Sequence, residues 1–180
     1  MLAIDLSPRL LAELAERARG LAVDPVPGDL RDVARLAPAG VEVVVCMGDT
    51  LSHLEREDDL GRVFAGVASR LDVGGRLILT FRDLSGELRE LDRFIPVCTA
   101  HDLIMTCFLE YEEASVMVHD LIWTREGEGW RFRKGVYRKL RLAPQAVTTQ
   151  LENAGFAVER QEAPSGMVAL LATPKEARRA

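Results

Sequence analysis

Residues 41–47, Val-Glu-Val-Val-Val-Cys-Met, form a run of mostly β-branched, apolar side chains. A short run of this kind is typical of a strand buried on both faces of a parallel sheet. A second such run, Arg-Leu-Ile-Leu-Thr-Phe, occupies residues 76–81. Between them, apolar residues recur at helical spacing over residues 58–71, and Gly74-Gly75 predicts a turn. This order of strand, helix and strand predicts a right-handed βαβ unit and an α/β fold.

The residues before this unit predict a further strand, a helix and a turn. Residues 2–4 are apolar and end at Asp5. Ser7-Pro8 follows as a helix start, because serine caps free N–H groups and proline suits the first turn. The predicted helix covers residues 9–19. A short segment over residues 22–26 then leads to Gly28-Asp29-Leu30.

From about Asp92 the sequence pattern changes from alternating strands and helices to a series of strand-like segments. Three aromatic-rich segments joined by polar turns predict an antiparallel meander, with strands over residues 103–111, 115–124 and 130–142. A helix is predicted over residues 144–154 and is followed by a final hairpin. The strands of that hairpin are residues 156–162 and 167–173. The polar tail, residues 175–180, is predicted to fray.

Composition excludes several classes of function. Of the 180 residues 48% are hydrophobic and 28% charged, which indicates a globular domain. The net charge of -5 argues against nucleic acid as the main partner. No apolar run is long enough to span a membrane and no signal peptide is apparent. Three cysteines without CxxC spacing favour a reducing, cytoplasmic location and no structural metal.

The order of elements resembles the class I S-adenosylmethionine-dependent methyltransferases, particularly those that act on small molecules. Four stretches carry the resemblance, namely residues 3–8 (AIDLSP), 28–30 (GDL), 43–54 (VVVCMGDTLSHL) and 71–80 (LDVGGRLILT). Residues 151–156 (LENAGF) and the last hairpin are similar to the C-terminal part of that family. The resemblance implies a Rossmann-like, mostly parallel sheet with a C-terminal antiparallel hairpin and an inserted antiparallel β-meander at about residues 92–142. It implies a single domain over residues 1–180.

The chain departs from the family pattern at its start. The first strand and glycine-rich loop of the family would precede the strand that ends at Asp5, so the domain is expected to be incomplete at its N-terminus. In the family that strand is central, between the strands that here end at Asp5 and Met47. Its loss is expected to leave two strand edges with unpaired N–H and C=O groups.

The resemblance implies that S-adenosylmethionine is the cofactor and suggests which residues hold it. Asp5, followed by Leu6, would accept the ribose hydroxyls, although a helix cap or a loop acid is the alternative and NAD-binding folds use a similar acid. Asp29 would accept the adenine amino group and Leu30 would contact the ring, the alternative being a plain turn. Cys46, Met47 and Gly48 would lie beneath the adenosine, with Cys46 as a packing residue and not a nucleophile.

The substrate side of the site is expected at the ends of the next two strands. His53 would take a proton from an amine or hydroxyl nucleophile, with Asp49 beside it as a second catalytic candidate. The alternatives are helix capping by Asp49 and an exposed His53. Arg82 would bind a carboxylate substrate, or else form a weak salt bridge with Asp83.

Two further patterns receive structural explanations. His101-Asp102 and His119-Asp120 look like paired metal ligands, but the hairpin register places His101 beyond Trp123 and not opposite His119, so no metal site is predicted. A basic strip is expected to be a solvated face, with an anionic ligand as the alternative; it comprises Arg131, Arg133, Lys134, Arg138, Lys139 and Arg141.

The function implied by the resemblance is methyl transfer to an unknown small molecule by in-line displacement. The alternative is a methyltransferase-like binding or regulatory subunit without chemistry, and a NAD-dependent reductase is a weaker third reading. The expected partner is a small-molecule substrate, and not nucleic acid or membrane. The resemblance also allows a homo-oligomer.

Overall fold

The computed structural model describes residues 1–163 and 166–175, so residues 176–180 of the predicted polar tail lie outside the described residues. The helices are α1 (Pro8–Arg17), α2 (Val33–Leu36), α3 (Asp59–Ala68) and α4 (Pro144–Asn153). The strands are β1 (Leu2–Asp5), β2 (Asp24–Pro27), β3 (Val41–Cys46), β4 (Leu71–Arg82), β5 (Phe94–Thr99), β6 (Leu103–Tyr111), β7 (Ser115–Glu126), β8 (Gly129–Leu140), β9 (Phe156–Gln161) and β10 (Met167–Pro174).

Strands β1 and β2 form a two-stranded parallel sheet that brings the first two predicted motifs together. The Ser7 hydroxyl caps α1 by accepting a hydrogen bond from the Leu10 backbone N–H at 3.3 Å, as the sequence predicts. The helix then returns the chain to β2, where Asp5 pairs with Pro27. The backbone N–H of Gly28 donates to the carbonyl oxygen of Asp5 at 3.1 Å. Both strands therefore end at the same edge.

Strands β3, β4, β10 and β9 form, in that order, a second sheet. The β3–β4 pair is parallel, and β10 is antiparallel to both of its neighbours, which confirms the predicted C-terminal hairpin. The prediction of one mostly parallel sheet is wrong, because the β1–β2 pair is separate and half of the strand pairs in these two sheets are antiparallel.

Strand β3 is much more exposed than its apolar sequence predicts. Val43 and Val45 are 51% and 56% exposed, so the strand is not buried on both faces. Within the described residues β3 pairs only with β4, and β1 pairs only with β2. Both strands thus have one edge without a strand partner, as the departure from the family pattern predicted. The exposed valines, Val43 and Val45, are two positions apart and therefore lie on the same face of β3, the face that is turned to solvent.

The predicted turn at Gly74-Gly75 lies inside β4, which begins at Leu71. The register between β3 and β4 shifts after Val41, and Gly74 has a φ of 77°. A Cβ on Gly75 would lie 2.9 Å from the Asp72 carbonyl oxygen and 3.1 Å from that of Val41. Only glycine allows this close approach, so the pair produces an irregularity within one long strand instead of ending it.

Helices α3 and α4 cover one face of the sheet formed by β3, β4, β10 and β9, and they form the main core with it. Residues in this core with no more than 1% exposure include Leu51, Leu60, Phe64, Val67, Leu77, Leu79, Phe81, Leu142, Val147, Leu151 and Phe156. Truncation of a residue such as Phe64 to alanine would cost about 3–5 kcal/mol. No helix among the described residues is long and apolar enough to cross a membrane.

The insert is an antiparallel meander of four strands, in the order β5-β6-β7-β8. The three predicted strands are present and begin within one residue of the predicted positions. The prediction from the sequence did not include β5, an edge strand with Pro96 near its centre. Proline lowers the strand signal although it is tolerated at a sheet edge. A smaller core joins the meander to the end of β4 through Leu84, Leu109, Val116 and Val118.

Candidate active site

The carboxyl ends of β1 and β2 bring Asp5 and Asp29 to one cavity. The Asp5 Oδ1 atom accepts a hydrogen bond from the Ser7 backbone N–H at 2.7 Å. Its Oδ2 atom accepts none from the described residues. Asp5 is half-buried, whereas Leu6 beside it is 71% exposed. One carboxylate oxygen therefore orders the turn into α1 while the other is available to a ligand.

Asp29 is held by Arg31, a partner that the sequence analysis did not consider. The Asp29 Oδ1 atom accepts from Arg31 Nε at 3.0 Å and Oδ2 accepts from Nη2 at 2.7 Å. These hydrogen bonds lower the pKa of Asp29. The Arg31 guanidinium also lies 3.5 Å from Glu55 and 3.6 Å from Asp59. The Asp29 Oδ1 atom also accepts from the Arg31 backbone N–H at 2.8 Å and so caps the turn over residues 30–32, which is the turn role that the sequence analysis gave as the alternative. Asp29 is thus a fixed, ionised acceptor that also forms the start of this turn.

The cavity has a volume of about 490 Å³, within the usual range for small-molecule sites. Its lining contains both apolar and charged side chains. It includes four of the seven predicted cofactor residues, together with His53. The lining residues are Ile4, Asp5, Leu6, Leu10, Gly28, Asp29, Leu30, Arg31, Thr50, His53, Leu54 and Glu55. The other predicted site residues, namely Cys46, Met47, Gly48, Asp49 and Arg82, are not part of this lining.

The three cofactor candidates at the end of β3, namely Cys46, Met47 and Gly48, lie in different environments. Cys46 is buried, and burial raises the pKa of its thiol to about 11, so the nucleophilic thiolate is disfavoured. Met47 is 54% exposed. Gly48 has a φ of 72°, and its N–H donates to the Thr80 hydroxyl at 2.7 Å. Gly48 therefore turns the chain out of β3 and ties it to β4.

Asp49 joins three segments of the chain. Its Oδ1 atom accepts from the Arg82 backbone N–H at 2.7 Å, and its Oδ2 atom accepts from Lys139 Nζ at 2.7 Å. The Asp49 and Lys139 side chains are only 13% and 12% exposed. The Asp49 side chain makes no capping hydrogen bond to the turn over residues 50–53. Its geometry is that of an anchor between the sheet and the meander.

His53 lies between the cavity and one face of the meander. This face, called the inner face below, carries Cys107, Asp120, Tyr137 and Lys139. The His53 ring is 5.5 Å from that of Tyr137, between centroids, at an interplanar angle of 30°. His53 is exposed as a residue, as the alternative explanation predicted, and only part of its side chain is buried. This partial burial lowers the pKa of His53, and the positive charge of Lys139 lowers it further, although Asp49 partly opposes the shift. The imidazole is therefore largely neutral at neutral pH, which is the form that can accept a proton.

Arg82 is the last residue of β4, and its side chain is half exposed. Its Nε atom is 3.6 Å from Asp49 Oδ2, and its side chain is 53% exposed. The alternative, a salt bridge with Asp83, is not formed, because Asp83 accepts hydrogen bonds from Ser85 instead. The Arg82 guanidinium remains accessible to an anionic group.

The basic strip of β8 is not uniformly solvated. Lys139 and Arg141 are 12% and 14% exposed. Arg141 donates to the carbonyl oxygens of Leu84, Ser85 and Glu112, and thereby fastens the meander to the chain after β4. The remaining residues of the strip are exposed, in agreement with the prediction; they are Arg131, Arg133, Lys134 and Arg138.

The inner face of the meander carries a polar group that the sequence analysis missed. Cys107, Asp120 and Gly135 are directly paired across β6, β7 and β8. The Cys107 thiol donates to Asp120 Oδ1 at 3.0 Å, and the Tyr137 hydroxyl lies 3.5 Å from the same atom. From the sequence, Asp120 is notable only as a neighbour of His119 in a potential pair of metal ligands. In the structure His119 bonds to Glu110, and His101 lies near Arg125, apart from His119 as the register predicted.

Structural comparison identifies this architecture. A S-adenosylmethionine-dependent methyltransferase from Clostridium acetobutylicum superposes with a TM-score of 0.80 at 17% identity, over 96% of this chain and 74% of that one. DesVI from Streptomyces venezuelae gives 0.81 at 20% identity, over 97% and 74%. The chain has the class I methyltransferase fold. CalS10 from Micromonospora echinaspora, an amino pentose methyltransferase solved with S-adenosylmethionine bound, gives 0.76 at 18% identity, over 97% and 73%.

The methyltransferase fold is thus recognised from structure. No protein-family model and no curated protein sequence matches this chain.

Proposed function

We propose that the chain binds S-adenosylmethionine in the cavity at the ends of β1 and β2 and transfers its methyl group to a small molecule. The observation that supports this most directly is that one cavity of about 490 Å³ contains Asp5, Asp29, Leu30 and His53. The solved structures with this fold include S-adenosylmethionine-dependent methyltransferases, among them a sugar N-methyltransferase and an amino pentose methyltransferase.

The cavity residues fit the adenosine part of this cofactor. Asp5 has one free carboxylate oxygen and is suited to accept from ribose hydroxyls. Leu6, which is exposed, and Leu30 offer apolar surface to a purine ring. Arg31 donates two hydrogen bonds to Asp29 Oδ1 and one to Oδ2, so the ionised carboxylate keeps one lone pair, on Oδ2, that can accept from an adenine amino group. When bound, S-adenosylmethionine supplies a methyl group activated by the sulfonium charge.

His53 and the residues around it would handle the acceptor. Because burial and Lys139 lower its pKa, His53 can take a proton from an acceptor nitrogen or oxygen as that atom becomes nucleophilic. The Tyr137 ring contacts the His53 ring at 5.5 Å between centroids. Asp49 keeps Lys139 beside this site through the 2.7 Å ion pair. The chain's main contribution is to position the reactants and to limit access of water.

The second candidate is a binding or regulatory subunit without chemistry. It is favoured by the free edges of β1 and β3 within the described residues, because a partner strand could pair with either. Both candidates remain compatible with a homo-oligomer.

Calorimetric titration with S-adenosylhomocysteine tests the cofactor site. We expect the Asp5→Asn variant to bind roughly tenfold more weakly than the wild type, because a charged acceptor is lost while the Oδ1 bond to Ser7 is kept. Asp24→Asn, an exposed acid at the other end of β2, is the control and should change nothing. Equal affinity of all three proteins would contradict the role of Asp5.

Mass-spectrometric detection of S-adenosylhomocysteine formed from S-adenosylmethionine and a panel of small amines and alcohols separates the two candidates. Turnover that requires an acceptor supports the enzyme. Cofactor binding with no turnover on any acceptor supports the binding subunit, and failure to bind S-adenosylhomocysteine at all would refute the proposed cofactor.

A further inference from the structure

The inner face of the meander holds a half-buried carboxylate that lacks a positively charged partner. Asp120 forms no ion pair within 4 Å among residues 1–163 and 166–175, whereas Asp49 nearby pairs with Lys139. The hydrogen-bond donors around Asp120 are neutral, namely the Cys107 thiol at 3.0 Å and the Tyr137 hydroxyl at 3.5 Å. A carboxylate partly removed from water is costly unless a cation or several donors compensate it.

The two Asp120 oxygens differ in their surroundings. Oδ1 receives both neutral donors, and Oδ2 accepts no hydrogen bond from the described residues. Burial and Asp120 together raise the pKa of the Cys107 thiol and of the Tyr137 hydroxyl to about 12, so both groups keep their protons at neutral pH. Oδ1 is therefore oriented by fixed donors, and Oδ2 is left to face a ligand.

Gly135 leaves space over the free oxygen. It lies directly opposite Asp120 in the ladder, in the interior of β8. Its backbone does not adopt the left-handed conformation. A Cβ there would make only ordinary contacts, 3.7 Å from Asp120 Cβ and 3.9 Å from Oδ2. Neither backbone strain nor packing requires glycine at this position, and the ladder has no bulge there. Glycine inside a regular strand is found where a ligand or another backbone approaches closely.

The group is also connected to the proposed acceptor site. Tyr137 contacts Asp120 through its hydroxyl and the His53 ring through its own ring, at 5.5 Å between centroids. Lys139 lies 5.7 Å from the Tyr137 ring, but its ammonium group is already bonded to Asp49 at 2.7 Å. The carboxylate of Asp120 is therefore one side chain away from His53 and forms no ion pair with that lysine. Lys139 and Arg82 are nonetheless close enough for their charges to lower the pKa of the adjacent Cys107 thiol, against the raising effects of burial and Asp120.

We propose that Asp120 Oδ2, beneath the opening at Gly135, binds the ammonium group of an organic amine, and that this amine is the methyl acceptor once it has given one proton to the neutral His53 ring. The freed nitrogen lone pair then forms the bond to the methyl carbon as the carbon–sulfur bond of S-adenosylmethionine breaks, and S-adenosylhomocysteine leaves with the sulfur electron pair. The identification of the amine as acceptor rests on the proposed function, but the binding site itself does not. A protonated amine would supply the missing positive charge and a short N–H···O⁻ hydrogen bond. A neutral alcohol of the same shape would supply only the weaker hydrogen bond.

The test is NMR titration of the ¹⁵N-labelled wild-type protein with cyclohexylamine and, separately, with cyclohexanol, at neutral pH and in the presence and absence of S-adenosylhomocysteine. We expect cyclohexylamine to cause saturable shifts of the backbone signals of Cys107, Asp120 and Gly135. Cyclohexanol should bind roughly tenfold more weakly or not at all. Equal affinity for the two probes, or shifts located elsewhere, would overturn the proposal.

Two variants and one control sharpen the result. Asp120→Asn should weaken cyclohexylamine binding roughly tenfold or more while preserving the acceptor for Cys107. Gly135→Val should abolish binding by covering Oδ2. The control is Glu110→Gln, which removes the same charge from the opposite face of the meander, where Glu110 bonds to His119. Loss of binding in Glu110→Gln to the same extent as in Asp120→Asn would indicate a general charge effect and refute the site.

The outcomes separate this proposal from the proposed function. Cyclohexylamine binding without any affinity for S-adenosylhomocysteine would retain the amine site and remove the methyltransferase. Affinity for S-adenosylhomocysteine without selective amine binding would retain the cofactor site and remove the assignment of Asp120.

Discussion

Replacement of Lys139 by methionine tests the connection between the meander and the sheet. The Lys139 ammonium group lies 2.7 Å from Asp49 Oδ2, and both side chains are nearly seven-eighths buried. The variant leaves Asp49 with the Arg82 backbone N–H at 2.7 Å and the Arg82 Nε atom at 3.6 Å. Methionine keeps the length and the apolar stem of lysine, so that the principal change is the loss of the charge.

The burial of the Asp49–Lys139 pair determines how much free energy of unfolding the variant is expected to lose. Removal of one partner from a fully buried pair costs about 3–5 kcal/mol, whereas exposed pairs contribute about 0–1 kcal/mol. Because Asp49 retains the Arg82 donor and some contact with solvent, we expect a loss of about 2 kcal/mol in the free energy of unfolding. For a chain of this size that corresponds to a decrease in Tm of roughly 4–8 °C.

The same substitution should alter the titration of His53. Burial is the main cause of the lowered pKa of His53, and the charge of Lys139 contributes next. In Lys139→Met the burial remains, so the pKa should rise but stay below the ordinary value of 6.5. This shift would be measured by NMR titration of the imidazole signals, independently of stability.

Urea denaturation of the wild type, Lys139→Met and Lys134→Met provides the measurement of stability. Lys134 is an exposed lysine of the same strand, so its variant removes an equal charge without breaking a buried pair. A loss below about 0.5 kcal/mol in Lys139→Met, or an equal loss in both variants, would show that the Asp49–Lys139 pair does not hold the meander in place.

Three further changes test other parts of the structure. The free energy of unfolding should decrease as the pH falls below about 6.5, because folded His53 binds protons less readily than the unfolded chain, and His53→Gln should reduce this dependence. In Arg31→Met the pKa of Asp29 should rise toward its ordinary value of 3.8, which NMR would detect; an unchanged pKa would contradict the role of the hydrogen bonds from Arg31. Gly75→Ala should lose about 1–3 kcal/mol in urea denaturation, since its Cβ would lie 2.9 Å from a carbonyl oxygen, whereas Gly86→Ala, which meets nothing within 4 Å, should be nearly neutral.

Local pattern was sufficient to predict most elements of the fold. Periodicity located α3, α4 and the final hairpin to within a few residues, because these elements have one clear apolar face or two clear turns. It misjudged β3, since the sequence Val-Glu-Val-Val-Val-Cys indicates a strand but not how many neighbours that strand has. It missed β5 because Pro96 weakens the strand signal, although an edge position tolerates proline.

The candidate site was predictable only where its residues follow strand ends. Asp5, Asp29 and His53 could be proposed because the carboxyl ends of parallel strands are where α/β sheets bind ligands. The pairing of Asp49 with Lys139 spans 90 positions of the chain and has no local signature. The grouping of Cys107, Asp120 and Gly135 depends on the register of the meander, which side-chain alternation alone does not determine.

The open edge of β3 has a consequence for how the isolated chain behaves at high concentration. Within residues 1–163 and 166–175 this edge has no strand partner, and β3 carries two exposed valines and a single charged residue, Glu42. Such edges recruit further strands, and natural proteins usually protect them with charge or proline. We therefore expect the edge of β3 that has no strand partner among the described residues to be a site of self-association at high concentration. Lysine at position 45 is the substitution that should suppress it with the least disturbance of the core.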